Sequence, residues 1–171
     1  TKTHEYQWSV IKDHPYIIAS YLWNMFDFAV PMWTRGGVPA RNMKGLVTFD
    51  RKIKKDSYFW YKANWSENPV LYLTQRRNVD REKRMTTVTV YSNIGTPKVY
   101  LNGKELSGIR KGYTDVHYIF DNVVLADGKN VLKAVAAIKG KEYTDEIVWN
   151  YSGEKNREVD SYENKNEHSG F

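Results

Sequence analysis

The apolar positions change period along the chain, and the changes mark its parts. In residues 3–13 (THEYQWSVIKD), His4, Trp8 and Ile11 recur on one stripe, which predicts a helix. Pro15 ends that helix and biases His14 away from helical geometry. Residues 17–23 (IIASYLW) are a nearly continuous apolar run of strand length. Such a run suits a strand buried on both faces, as in a parallel α/β sheet. A long loop with Pro31, Gly36, Gly37 and Pro39 follows. Residues 53–64 (IKKDSYFWYKAN) place Ile53, Tyr58 and Tyr61 near one face, with Trp65 just beyond, and predict a second helix. Helix, buried strand, long loop and helix are too little to close any sheet.

After Trp65 the segments become short and β-rich. VLYLTQ (70–75), TTVTVYS (86–92), KVYL (98–101), KEL (104–106), VHYIF (116–120), VLKAVAAI (131–138) and YTDEIVW (143–149) read as strands. Asn102-Gly103 is a strong type I′ hairpin signal, and Asp127-Gly128 marks another turn. Short strands at this spacing fit an immunoglobulin-like β-sandwich. The expected fold is therefore mainly β, with a helix-strand-helix segment over 1–64, a sandwich over 65–152 and a polar tail over 153–171. No internal repeat is present.

Composition narrows the function classes. The 41% hydrophobic content is enough for a core, and 15% of the residues are aromatic. Aromatic side chains bury large areas but also form flat walls in sugar sites, and composition does not separate the two uses. The net charge of +6 raises nucleic-acid binding. The densest basic runs are 51–55 and 76–84, and Asp80 and Glu82 interrupt the second. No nucleic-acid module accompanies them, so no nucleic-acid partner is expected. There is no cysteine, which excludes disulfides, thiolate catalysis and Cys-based zinc sites. His4, His14, His117 and His168 lack metal-ligand spacing, and no apolar run reaches the length of a membrane span. No metal, cofactor or membrane partner is expected.

The segment Trp23-Asn24-Met25-Phe26-Asp27-Phe28 resembles the Trp-Asn-x-x-Asp-Phe signature at the end of barrel strand 8 in family 2 glycoside hydrolases. Further on, Gly45-Leu46-Val47-Thr48-Phe49-Asp50-Arg51 is similar to that family's Gly-Leu-(Val/Ile)-x-x-Asp-Arg stretch. The helix ending Tyr61-Lys62-Ala63-Asn64-Trp65 resembles barrel helix 8, and the β-rich remainder resembles the domain that follows the barrel in β-galactosidase-like members. The likeness covers roughly residues 3–150.

The resemblance implies that residues 1–64 are the C-terminal end of a TIM (β/α)8 barrel, supplying its last βα segment, with the site at the C-terminal ends of the strands. It implies a retaining exo-β-glycosidase, β-galactosidase-like, with β-glucuronidase as the alternative. Retention uses two carboxyls ~5–5.5 Å apart, one the nucleophile and the other the acid/base. The family carries these on strands 4 and 7, whereas this chain aligns from helix 7 onward, so both catalytic glutamates are expected to lie outside it. His4-Glu5 resembles the family's His-Glu near the end of helix 7, and no catalytic role is assigned to Glu5. The implied parent is bacterial, periplasmic or exported, acts on a carbohydrate substrate and leaves a homo-oligomer open.

Five residues are candidates for substrate binding. Trp23 is either ordinary strand packing or a wall of the glycone subsite, and the matched block favours the wall. Asn24 and Asp27 either bond sugar hydroxyls or brace the loop. Asn42-Met43-Lys44 resembles the Asn-x-Lys with which β-glucuronidases grip a uronic acid carboxylate; the competing reading is a lysine on a solvated loop. Tyr100, Tyr113, Tyr118 and Tyr143 could form a sugar-binding face on the sandwich, but read more simply as strand aromatics. A separate carbohydrate-binding or interaction module is the competing class of function.

Overall fold

The computed structural model describes residues 1–34 and 38–153. Two helices, α1 (Lys2–Lys12) and α2 (Asp56–Trp65), belong to the first third, together with the short strands β1 (Phe28–Ala29) and β2 (Arg41–Asn42). Both helices lie close to their expected places. The rest is β: β3 (Leu71–Leu73), β4 (Asp80–Arg81), β5 (Met85–Ser92), β6 (Lys98–Leu101), β7 (Lys104–Glu105), β8 (Ile109–Lys111), β9 (His117–Val124), β10 (Gly128–Ile138) and β11 (Lys141–Tyr151).

These strands form two sheets, ordered β3-β5-β9-β8 and β4-β11-β10-β6-β7. The mainly β sandwich expected from the strand pattern is present. Asn102 and Gly103, at φ 50° and 85°, turn β6 into β7 as the Asn-Gly pair requires. Lys139 and Gly140, at φ 51° and 76°, make a second tight turn between the two longest strands. That turn and the short strands β4 and β8 were absent from the sequence reading.

Alternation explains how the parts join. Leu73 of β3 and Val88 and Val90 of β5 face the second sheet, where Val99, Leu132, Ala134 and Trp149 complete the core. Their neighbours Tyr72 and Tyr91 face the other way, into a cluster with Trp60, Tyr61 and Ala63 of α2. The β3–β5 region is thus apolar on both faces because one face meets the sandwich and the other meets the helices. Phe59 stacks on Tyr72 at 3.8 Å between ring centroids, and Trp60 lies 5.2 Å from Tyr91.

Polar groups fix this interface. Asp56, in the first turn of α2, accepts from the Tyr72 hydroxyl and from the Gln75 N–H, each at 2.8 Å. Glu5 of α1 is buried and accepts a short hydrogen bond from the Tyr91 hydroxyl. His117 Nε2 lies 3.9 Å from the same Glu5 oxygen, while its Nδ1 accepts from the Tyr113 N–H at 3.2 Å. Burial raises the Glu5 carboxyl above its usual value and lowers the His117 imidazole to about 4. Glu5 is therefore an interface residue, bonded through one carboxylate oxygen.

The segment 17–23 departs from expectation. It forms no strand, and Ile18 and Tyr21 are 99% and 93% exposed. A strand buried on both faces exists only between neighbours, and none among the described residues pairs with this run. Pairing begins just after it, where Leu46 N–H bonds Asn24 O at 3.0 Å and Val47 N–H bonds Met25 O at 2.9 Å. The loop glycines Gly36 and Gly37, His168 and the polar tail from 154 onward lie outside the described residues.

Candidate functional site

The loop that carries the candidates is fixed from below. Asp27 is buried, and its Oδ1 accepts from Lys55 Nζ at 2.6 Å and from the Gly45 N–H at 2.8 Å. Lys55 Nζ also donates to Met43 O at 2.9 Å. One ammonium therefore ties the segment before α2 to both the 24–27 and the 43–45 stretches. Glycine is required at 45 because a Cβ there would sit 2.1 Å from Asp27 N. Asn42 is buried in β2, and its Oδ1 accepts from the Lys44 N–H at 3.0 Å. That bond turns the chain so that Lys44 leaves the loop toward solvent. Asn24 Oδ1 accepts from the next residue's N–H, at Met25, at 2.5 Å.

An open cleft of about 820 Å³ lies over this loop. Of the five candidates it brings together Trp23 and Lys44, whereas Asn24, Asp27 and Asn42 do not line it. Trp23 is 70% exposed and meets Phe28 edge-on at 5.9 Å, leaving an indole face free. His4, held by a 3.0 Å bond between Nδ1 and the Tyr61 hydroxyl, lines the cleft too. Burial lowers the His4 pKa and pushes the Tyr61 phenol up to about 12. Asp56 is the one carboxylate among the lining residues, and Tyr72 and Gln75 already engage it.

The far wall belongs to the sandwich, since Gln75, Arg77 and Asn78 between β3 and β4 also line the cleft. Sequence reading missed this contribution, because contacts between residues distant in sequence, the Asp56–Gln75 bond among them, bring the β3–β4 turn over the loop. Of the four sandwich tyrosines considered, Tyr118 is buried and Tyr100 and Tyr143 are half-buried. Tyr113 is exposed and meets Tyr6 of α1 at 6.1 Å. These positions do not form a common aromatic face. Among the described residues no group of His, Asp and Glu could hold a metal ion, and no helix is long and apolar enough to cross a membrane.

Comparison with known proteins places this arrangement. Residues 83–144 match a family described as a domain of unknown function, DUF4982. A β-glucuronidase of Bacteroides fragilis is 34% identical over 156 residues, covering 91% of this chain and 22% of that protein. A crystal structure described as a candidate β-galactosidase from Bacteroides fragilis is 89% identical, with a TM-score of 0.89 over 94% of this chain and 24% of that one. The chain is of the glycoside hydrolase family 2 type. A further family 2 structure, an FMN-binding β-glucuronidase from Faecalibacterium prausnitzii, is 42% identical with a TM-score of 0.78, covering 89% of this chain and 22% of that one. The chain thus spans between a fifth and a quarter of the length of these family 2 relatives. They are β-glucuronidases and β-galactosidases, so the relatives are glycosidases acting on β-linked sugars.

Proposed function

We propose that this chain is the non-catalytic C-terminal portion of a retaining exo-β-glycosidase, one that hydrolyses terminal β-linked sugars by double displacement. In this reading residues 1–64 complete the barrel and form part of the glycone site, and the sandwich over 65–152 buttresses them. The indole of Trp23 meets the sugar's C–H face. Asp27 and Asn42 hold the loop from beneath, and Asn24 caps the turn after Trp23. The single observation that carries the reading is that Trp23 and Lys44, distant in sequence, line one cleft.

The choice of sugar follows from Lys44. It is exposed, and its ammonium has no side-chain partner among the described residues. A free cation beside an indole face suits a sugar that carries a carboxylate, which supports a β-glucuronide. A β-galactoside, the substrate expected first from the sequence, draws support from the description of the 89% identical structure. A charge-assisted contact contributes about 1.5–3 kcal/mol, or roughly ten- to 150-fold in preference.

The isolated chain should hydrolyse neither nitrophenyl β-glucuronide nor nitrophenyl β-galactoside, because its cleft offers only the engaged Asp56. Turnover of either by rigorously purified chain would refute the non-catalytic assignment.

A further inference from the structure

Asparagine followed by glycine is chemically labile. The glycine nitrogen, unhindered by a side chain, attacks the asparagine side-chain carbonyl carbon. Ammonia leaves, a succinimide ring forms, and water opens it to aspartate or isoaspartate. Asn102-Gly103 is the one such pair in the sequence. It is also the two-residue turn between β6 and β7, where both residues take positive φ, 50° and 85°. The pair that suits the turn best is thus the pair most open to this reaction.

The fold ties the reacting group down. Asn102 Oδ1 accepts from the Val131 N–H at 2.8 Å, and Asn102 Nδ2 donates to Asn130 Oδ1 at 3.2 Å. The Asn102 N–H bonds Val131 O at 2.8 Å, so main chain and side chain are both fastened to β10. Asn130 is fully buried and heavily engaged. Its Oδ1 also accepts from the Ala126 N–H at 2.8 Å, and its Nδ2 donates to Ala126 O and Gly128 O at 2.8 Å and 3.0 Å. It thereby holds the turn from β9 into β10. Nδ2 of Asn102 is the atom that departs as ammonia, so the reaction gives up the bond to Asn130.

We propose that Asn102 is a deamidation site that the native fold holds in check, and that conversion there loosens two turns of the sandwich together. In the first step Gly103 N bonds Asn102 Cγ and loses its proton, while the Cγ–Nδ2 bond breaks and Nδ2 leaves with that proton as ammonia. One water then opens the ring. In the aspartate product an oxygen stands where Nδ2 donated, so two acceptors face each other at Asn130 Oδ1. In the isoaspartate product the main chain gains a methylene, and the Leu101–Lys104 pairing no longer closes over a two-residue turn. Either product withdraws a hydrogen-bond partner from the buried Asn130, and with it support from the β9–β10 turn.

The test follows conversion at residue 102 by peptide mapping of the full-length protein carrying this segment. The protein is aged in mildly alkaline buffer, either native or unfolded in guanidinium chloride. Conversion should be slower in the native protein by about tenfold or more, and equal rates would overturn the protection. Asn130→Ala removes the acceptor of Nδ2 and should raise the native rate toward the unfolded one. An unchanged rate in folded Asn130→Ala would overturn the role of Asn130. Asn102→Asp installs the product directly and decides the coupling even if Asn130→Ala does not fold. It should melt below the wild type at neutral pH, and the gap should narrow as pH falls toward about 4, where a protonated carboxyl again donates to Asn130. No gap, or the same gap at both pH values, would overturn the coupling.

Discussion

Lys55 Nζ sits 2.6 Å from Asp27 Oδ1, joining the segment before α2 to the loop that carries Trp23. Asp27 has no exposed side-chain surface and Lys55 has little. Removing one partner of a buried pair leaves the other charge uncompensated, which costs about 3–5 kcal/mol. Asp27→Ala should therefore lower the unfolding free energy measured in urea by an amount in that range, and Lys55→Met should cost at least as much, because it leaves the Asp27 carboxylate buried and unpaired. A neutral Asp27→Ala would show that the loop does not depend on this pair.

Gly45 serves the same loop by being small. A methyl group at this position meets Asp27 N at 2.1 Å and Phe26 C at 2.2 Å, both backbone atoms that cannot swing aside. Gly45→Ala should cost about 1–3 kcal/mol through forced backbone movement. It should also weaken substrate binding in the full-length enzyme, since the 43–45 stretch carries Lys44. Unchanged thermal unfolding would contradict the close approach.

Trp60 is fully buried between α2 and the β3–β5 face, within 5.2 Å of both Tyr91 and His117. Trp60→Ala should destabilise the chain by about 3–5 kcal/mol. Because the residue joins the helices to the sandwich, loss of the α1 and α2 amide signals before those of β10 and β11 is the expected hydrogen-exchange pattern. Simultaneous loss would argue against an interface role.

The Glu5–Tyr91–His117 cluster predicts an acid response. Burial holds the His117 imidazole at about 4, below its ordinary 6.5, so the unfolded chain binds the proton more readily. Its contribution to stability is complete above pH 6.5 and is lost as pH falls toward 4, by up to about 3 kcal/mol. Glu5 works in the opposite sense, because burial raises its carboxyl above 4.5. Its destabilising effect is present above the raised value and relieved as pH falls through it toward 4.5. Glu5→Gln removes that relief, so the variant should lose stability more steeply than wild type between pH 6.5 and 4. Urea midpoints at pH 7, 5.5 and 4 measure this, and parallel curves would refute the assignment.

How far the sequence reached depended on whether the needed partner was local. The Asn102-Gly103 turn and the alternation in β5 and β10 are local, and they were legible. So were both helices and the motif around Trp23. The run at 17–23 forms no strand here because apolar continuity reports an affinity for neighbours, and no neighbour among the described residues supplies pairing. The burial of Asp27 and the interface role of Glu5 were not legible, since each depends on a residue far along the chain, Lys55 or Tyr91.

In the proposed function Trp23 and Lys44 form the wall that recognises an acidic glycone. This role is tested most directly by kcat/KM of the full-length enzyme on nitrophenyl β-glucuronide and nitrophenyl β-galactoside, for wild type and Lys44→Met. A glucuronide preference is expected in the wild type, with a loss of roughly ten- to 150-fold on that substrate in Lys44→Met and galactoside turnover unchanged. A wild type that prefers the galactoside, or a Lys44→Met variant that loses both activities equally, would contradict it.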